Sequence, residues 1–369
     1  MPKSDIPLTA TLKRIFTRRK LLGGGLAGSA GLAVAGFQDG IICSANAHTP
    51  HSGHGGMAHG GNQLVGSIDH AANGFDPSSL LNDWDSGQLT IDQAGRRVRE
   101  FSITAVDREI EIAPGIAFPA WTYNGRIPGP TLRVTEGDLI RINFINGGSH
   151  RHTMHFHGIH SARMDGVPGA GEVEPGESFV YEFTAHPFGC HFYHCHSFPL
   201  KRHIHKGLYG AFIVDPDPAL HPEHADIAES RLLGHPSNER WQEFIMVMNG
   251  FDTNFDDENE FYAVNSIAFA YQSAPIRIER GRPVRIYLVN ATEFDPINSF
   301  HLHANFFDYF DHGTTLTPTL RTVDTVMLCQ AQRGILEFSF AEHEPGAYMF
   351  HAHQTEFTEL GWMGFFEVV

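Results

Sequence analysis

The stretch TLRVTEGDLIRINFIN, Thr131 to Asn146, alternates apolar and polar side chains on both sides of a Glu-Gly-Asp turn. Alternation with a period of two marks a strand with one face buried, and the glycine supplies the reversal. The pattern returns later as PIRIERGRPVRIYLVN, Pro275 to Asn290, with Glu-Arg-Gly at its turn. Short runs of the same kind surround the first copy (FSITAV, EIEIA, ESFVYEFTA, YGAFIVD) and the second (WQEFIMVMNG, RGILEFSFA, GWMGFFEVV). Gly, Pro and Asn break these runs, and helical periodicity is scarce. The chain therefore reads as all-β, two tandem antiparallel sandwiches of Greek-key type related by an internal duplication of roughly 150 residues.

Composition supports a folded chain and excludes some partners. Of 369 residues, 41% are apolar and 18% charged, and the formal charge is -16. An acidic balance of that size argues against nucleic acid or an anionic membrane, which require basic patches. The four cysteines, Cys43, Cys190, Cys195 and Cys329, are too few for a disulfide scaffold, whereas 25 histidines exceed what core packing uses. Residues 1–47 read as an export leader: paired arginines in TRRKLL, a Gly/Ala-rich apolar run, then Ala-Asn-Ala as a cleavage signature. The expected destination is the periplasm or the cell exterior. Residues 48–95 read as a His/Gly-rich tail and linker, 96–218 as the first domain, 219–237 as a Pro-containing linker and 238–369 as the second domain.

Four His-x-His pairs stand at matching places in the two repeats: His155/His157 and His194/His196, then His301/His303 and His351/His353. On a strand, residues i and i+2 share a face, so each pair aims two imidazoles in one direction. Imidazole suits copper, zinc, iron or nickel alike. Cys195 narrows the choice. Lying between His194 and His196, it faces the other way and defines a second site joined to the first through adjacent residues. A cysteine with two histidines is a blue-copper donor set, and His152 and His203 are at hand, with Leu208 at the axial position. His205 is a weaker substitute for His203. In the second repeat Ala352 replaces the thiol, Asn298 stands where His152 stands in the first, Phe357 matches His203, and Trp362 matches Leu208.

The chain resembles a multicopper oxidase, in particular the small two-domain laccase-like form. NGRIPGPTLRVTEGD (124–138), HTMHFHG (152–158), YHCH (193–196) with the following His203, and SFHLHANFF (299–307) carry the resemblance. It implies two cupredoxin-like domains and a type 1 copper on His152, Cys195 and His203. It further implies a type 2 copper on His155 and His301, and a type 3 pair on His157, His194, His196, His303, His351 and His353. The implied reaction couples one-electron oxidation of a reductant near His203 to reduction of O2 to water, the electron passing from Cys195 through His194 or His196. Related two-domain proteins form trimeric rings, which implies a homotrimer whose cluster histidines come from two chains.

The rival is a copper nitrite reductase, which carries an aspartate at the position of His155 and a non-histidine at that of His196. A copper-storage protein has no use for a cysteine-linked electron path. Phenols, aromatic amines, Cu(I), Fe(II) and Mn(II) are the candidate reductants. The acidic stretch DTNFDDENE (252–260) reads either as a cation lure or as a solvated loop. Asp165 and Glu356 are among the candidate proton-delivering carboxylates. Cys190 and Cys329 are read either as a disulfide or as two buried thiols, and His150, His160, His186 and His191 as supporting or structural residues.

Overall fold

A computed structural model of the chain describes residues 66–222 and 241–369. The leader, residues 48–65 of the His/Gly-rich tail and residues 223–237 of the linker lie outside them. Each repeat folds as a β-sandwich. In the first, one sheet orders strands Trp84–Asp85, Thr131–Thr135, Tyr209–Asp215, Gly189–His194 and His155–Phe156. The facing sheet is built on Gln88–Ile91, Arg97–Ala113, Leu139–Asn146 and Ser178–Thr184, with Ile116–Tyr123 paired to the long second strand. The second sandwich repeats the plan, with a sheet around Gln242–Phe251, Val284–Asn290 and Arg333–Phe338 and another holding Ile297–Leu302, Gly346–His351 and Met363–Val368.

Both halves of TLRVTEGDLIRINFIN are strands, Thr131–Thr135 and Leu139–Asn146, but they lie in opposite sheets. The sheets are consequently mixed, not wholly antiparallel. Arg97–Ala113 pairs in parallel with Leu139–Asn146 because the chain visits the other sheet between them. Tyr209–Asp215 pairs in parallel with Thr131–Thr135 for the same reason. Residues 84–91, assigned to the tail from composition, form two strands of the first sandwich. Two short helices before them, His70–Asn73 and Pro77–Leu80, strap the domains together. The Asn73 side chain exchanges hydrogen bonds with the Glu111 backbone, the Tyr271 hydroxyl donates to the Pro77 carbonyl at 2.9 Å, and the Ile245 N–H donates to the Leu81 carbonyl at 2.7 Å.

Each sandwich has its own core, and a third apolar layer lies between them. There Ile110, Phe192 and Ile213 of the first domain meet Val247, Tyr287 and Ile335 of the second. Beside it runs a chain of buried ions. Arg133 pairs with Asp215 (2.8 Å) and with Glu243 of the other domain (2.9 Å). Arg285, 1% exposed, binds Glu243 at 3.1 Å and Glu337 at 2.6 Å. The interface fixes the two domains against each other.

Candidate metal centre

The strand Gly189–His194 carries the decisive segment. It pairs with His155–Phe156 so that His155 faces His194 across the ladder. The peptide of Cys195 extends this strand, its N–H donating to the Leu208 carbonyl at 2.9 Å. With neighbours alternating in direction, the His194 ring and the Cys195 sulfur leave the chain on opposite sides.

On the inner side the sulfur meets His203 Nδ1 at 3.2 Å and His152 Nδ1 at 3.9 Å, and the two Nδ1 atoms are 3.3 Å apart. All three residues are buried, and Leu208 beside them is wholly so. Thr153 holds the arrangement in place: its N–H donates to Cys195 Sγ at 3.3 Å, and its Oγ1 accepts the His196 N–H at 2.6 Å. Gly148 packs against His152 so closely that a Cβ there lies 2.9 Å from His152 Nε2. Burial pushes His152 down to about 3 and His203 down to about 4, so both imidazoles are neutral donors. Burial also pushes the Cys195 thiol up, so binding a metal as thiolate must release a proton.

On the other side His157 Nε2 and His194 Nε2 face each other at 2.9 Å. The Nδ1 of His194 is occupied by the Cys195 carbonyl (2.9 Å), and that of His155 by the Asp165 carbonyl (2.6 Å), which leaves each Nε2 to the cluster. His196 stands within the same group of rings, 5.2 Å from His155 between centroids. Asp165 Oδ1 also approaches His155 Nδ1 (3.1 Å) and His160 Nε2 (3.5 Å). Of the carboxylates weighed from sequence, Asp165 thus lies at this cluster.

The second domain reproduces this half. His301 lies opposite His351, His303 Nε2 is 2.9 Å from His351 Nε2, and the His353 ring is 5.1 Å from that of His301. Ser299 Oγ accepts the His353 N–H, as Thr153 does for His196. Among the described residues no close donor group mixes histidines of the two domains. His303 and His353 are exposed. The counterpart of the cysteine site is filled with hydrocarbon: Phe357 stacks on Tyr262 at 3.9 Å, Trp362 and Ala352 are wholly buried, and Asn298 bonds Thr292.

Other expectations resolve simply. His205 Nε2 accepts the Asp252 N–H at 2.8 Å and packs on Phe118, away from the sulfur. His186 contacts Glu136, His191 the Pro187 carbonyl, and His150 the ring of Trp121. Cys190 is buried, Cys329 is exposed, and no disulfide joins them. The acidic loop folds onto the helix Leu200–His205, where Asp257 pairs with Lys201 (2.6 Å) and Asp252 approaches Arg202 (3.6 Å). The carboxylates of Asp252, Asp256 and Glu260 also lie within 4.8 Å of one another, and residues 254–258 are exposed, so these contacts alone favour neither reading of the stretch. Sequence reasoning passed over Thr153 and Trp121. Thr153 lies inside the quoted motif, but nothing in that string marks its hydroxyl.

Neutral imidazoles converging with a thiol fit copper: the set is soft, uncrowded by cations and already turned toward one point. The comparisons agree. Multicopper oxidase family profiles match residues 105–219 and 241–369. A crystal structure of a multicopper oxidase is 51% identical, covering 82% of this chain and 100% of that one, with a TM-score of 0.74. The chain belongs to the multicopper oxidase family. A copper nitrite reductase from Nitrosomonas europaea is also similar, at 25% identity and a TM-score of 0.63, over 74% of this chain and 94% of that one. Among curated relatives, a copper-containing nitrite reductase of Neisseria meningitidis is 26% identical over 67% of this chain and 63% of its own length. A probable nitrite reductase-hydroxylamine oxidoreductase fusion protein of Kuenenia stuttgartiensis is 28% identical over 70% of this chain and 30% of its own length. The chain thus spans less than two thirds of these curated relatives.

Proposed function

We propose that the chain is a laccase-like multicopper oxidase that couples one-electron oxidation of small reductants, phenolic, aromatic-amine or metal-ion, to reduction of O2 to water. His152, Cys195 and His203 hold a type 1 copper next to the non-ligating Leu208. His155 and His301 hold a type 2 copper, and His157, His194, His196, His303, His351 and His353 a type 3 pair. Bound copper supplies one-electron redox chemistry at the first set and the reduction of O2 at the second. The observation that carries the reading is the junction at Cys195, whose sulfur lies 3.2 Å from His203 Nδ1 while the adjoining His194 ring lies 2.9 Å from His157.

The chain's own residues do the remaining work. The backbone from Cys195 to His194 and His196 is a covalent path between the two donor sets. Leu208 and the surrounding core keep water from the sulfur, which favours the lower charge state there. The Asp165 carbonyl and carboxylate orient His155, and the same carboxylate is placed to hold a proton beside the cluster. Because the domains' half-clusters are separate and the second is exposed, we assign the complete cluster to two chains of a homotrimer. Export by the twin-arginine leader to the periplasm or cell exterior belongs to the same reading.

Two experiments test it. Mixing a His157→Ala/His194→Ala chain with a His351→Ala/His353→Ala chain restores about a quarter of wild-type activity if clusters form between chains, and nothing if they form within one. Nitrite reductase names among the relatives motivate a second reading. Oxygen uptake with hexacyanoferrate(II) and with a phenolic dye, set beside nitric oxide release from nitrite, separates the two; nitric oxide without oxygen uptake from either donor overturns the oxidase.

A further inference from the structure

Neither imidazole of the cysteine site meets solvent: His152 is wholly buried and His203 is 2% exposed. Trp121, from the strand Ile116–Tyr123, lies against both, its ring centroid 4.7 Å from that of His203 and 5.5 Å from that of His152. Its backbone N–H donates to the Lys206 carbonyl at 2.9 Å, tying the strand to the end of the helix that carries His203. The indole is itself partly exposed. Two groups rim it. The exposed His150 ring lies 4.4 Å away, and the ammonium of Lys206, a residue only 9% exposed, stands 5.5 Å from Trp121, 5.4 Å from Phe118 and 5.0 Å from Phe255.

The second domain puts an aromatic at the same point. The Tyr262 N–H donates to the Leu360 carbonyl at 3.0 Å, and its ring stacks on Phe357, which stands where His203 stands in the first repeat. Three residues on, Asn124 and Asn265 share a φ of 54°. The fold therefore holds a ring against this position in both halves, ligand or no ligand.

We infer that Trp121 is the specificity-determining residue for electron uptake: a reductant docks on the indole and the exposed His150 ring beside it, within the field of the buried Lys206 ammonium, not on a ligand imidazole. The inference rests on the blue-copper reading above. A phenol that needs its hydroxyl against an imidazole edge is held off, whereas a compact anionic donor that needs no ligand contact is served. Each event takes one electron from the donor; a phenol also releases its proton to solvent.

The test uses the copper-loaded full chain and anaerobic stopped-flow bleaching of the blue band, with hexacyanoferrate(II) and 2,6-dimethoxyphenol as probes. Trp121→Ala should raise the phenol rate constant relative to the hexacyanoferrate one by about tenfold, and Trp121→Phe should leave the ratio near wild type. A change in that ratio of less than about threefold for Trp121→Ala overturns the inference. A second readout needs no copper. Diethyl pyrocarbonate labelling of the metal-free full chain, mapped by mass spectrometry, should modify His150 and spare His203 in wild type, and reach His203 in Trp121→Ala. Wild-type His203 reacting as fast as His150 overturns the inference even if the variant does not fold. A wild type without a blue band sinks the copper reading instead, while the labelling still reports on Trp121.

Discussion

Acidifying the metal-free protein should destabilise it steeply. Burial pushes His152, His194 and His205 down to about 3, and His191 and His203 down to about 4. All five side chains belong to residues that are 5% exposed or less. In the unfolded chain they titrate near their ordinary 6.5. Below that value the unfolded chain binds protons that the folded chain refuses, so stability falls as pH falls, and the loss levels off only below the folded values. At about pH 5 each group costs roughly 2 kcal/mol, and the five together reach a ceiling of roughly 10 kcal/mol. That rivals the entire stability of an ordinary domain, about 5–15 kcal/mol. Urea unfolding of the chelator-treated full chain, followed by fluorescence at about pH 7.5 and about pH 5, should show the midpoint drop by at least about 1 M. A midpoint constant across that range would mean that these imidazoles are hydrated or already charged, and the case for poised neutral donors would fail.

Two further substitutions separate chemistry from folding. Cys195→Ser should abolish the blue band and cut oxygen uptake by about a thousandfold or more. It should leave metal-free stability within about 1 kcal/mol, since a hydroxyl still accepts the Thr153 N–H. Absorption, oxygen electrode and urea melts read the three effects, and a blue Ser variant would remove the sulfur from the account. Glu243→Ala leaves the 1% exposed Arg285 and its neighbour Arg133 short of a shared carboxylate between the domains. A loss of about 3–5 kcal/mol in urea unfolding is expected, and one below about 1 kcal/mol would make the ion chain ornamental.

What the sequence disclosed follows from local geometry. A period of two is enough to put His155 and His157 on one face and Cys195 opposite His194, so the clustering of His155, His157 and His194, and of Cys195 with His152 and His203, was legible in short strings. The sandwich duplication was legible because the alternating runs recur in order. Trp121 was not, since it is brought to His203 by pairing between a strand and a helix end some eighty positions apart in sequence, with no signal in either segment. The parallel pairings were hidden for a related reason: alternation names a strand's buried face but not which sheet the chain visits next. The strap at 70–81 was hidden because Asn73 acts on the Glu111 backbone and Pro77 through its own carbonyl on the Tyr271 hydroxyl, in two different domains.

The second domain offers a stricter trial of whether the cysteine site has been understood. Its backbone still carries the frame: Ala352 N–H bonds the Trp362 carbonyl as Cys195 N–H bonds that of Leu208, and Trp362 N–H bonds the Phe357 carbonyl as Leu208 N–H bonds that of His203. Restoring donors alone, by Asn298→His, Ala352→Cys and Phe357→His, should therefore give the right connectivity in the wrong space. Trp362 is wholly buried at the backbone position that Leu208 takes in the first repeat, and its indole is the bulkier of the two side chains. Adding atoms at Ala352 beside it overpacks the core, at a cost of about 1–3 kcal/mol. Adding Trp362→Leu removes that crowding and also the Nε1–H, which has no hydrogen-bond partner among the described residues. The fourfold variant, made in a Cys195→Ser background so that no other blue site contributes, should gain absorption on copper addition; the threefold variant should not. Blue colour in the threefold variant would show that ligand identity alone makes the site, and that the packing argued for Leu208 and Trp362 is irrelevant to it.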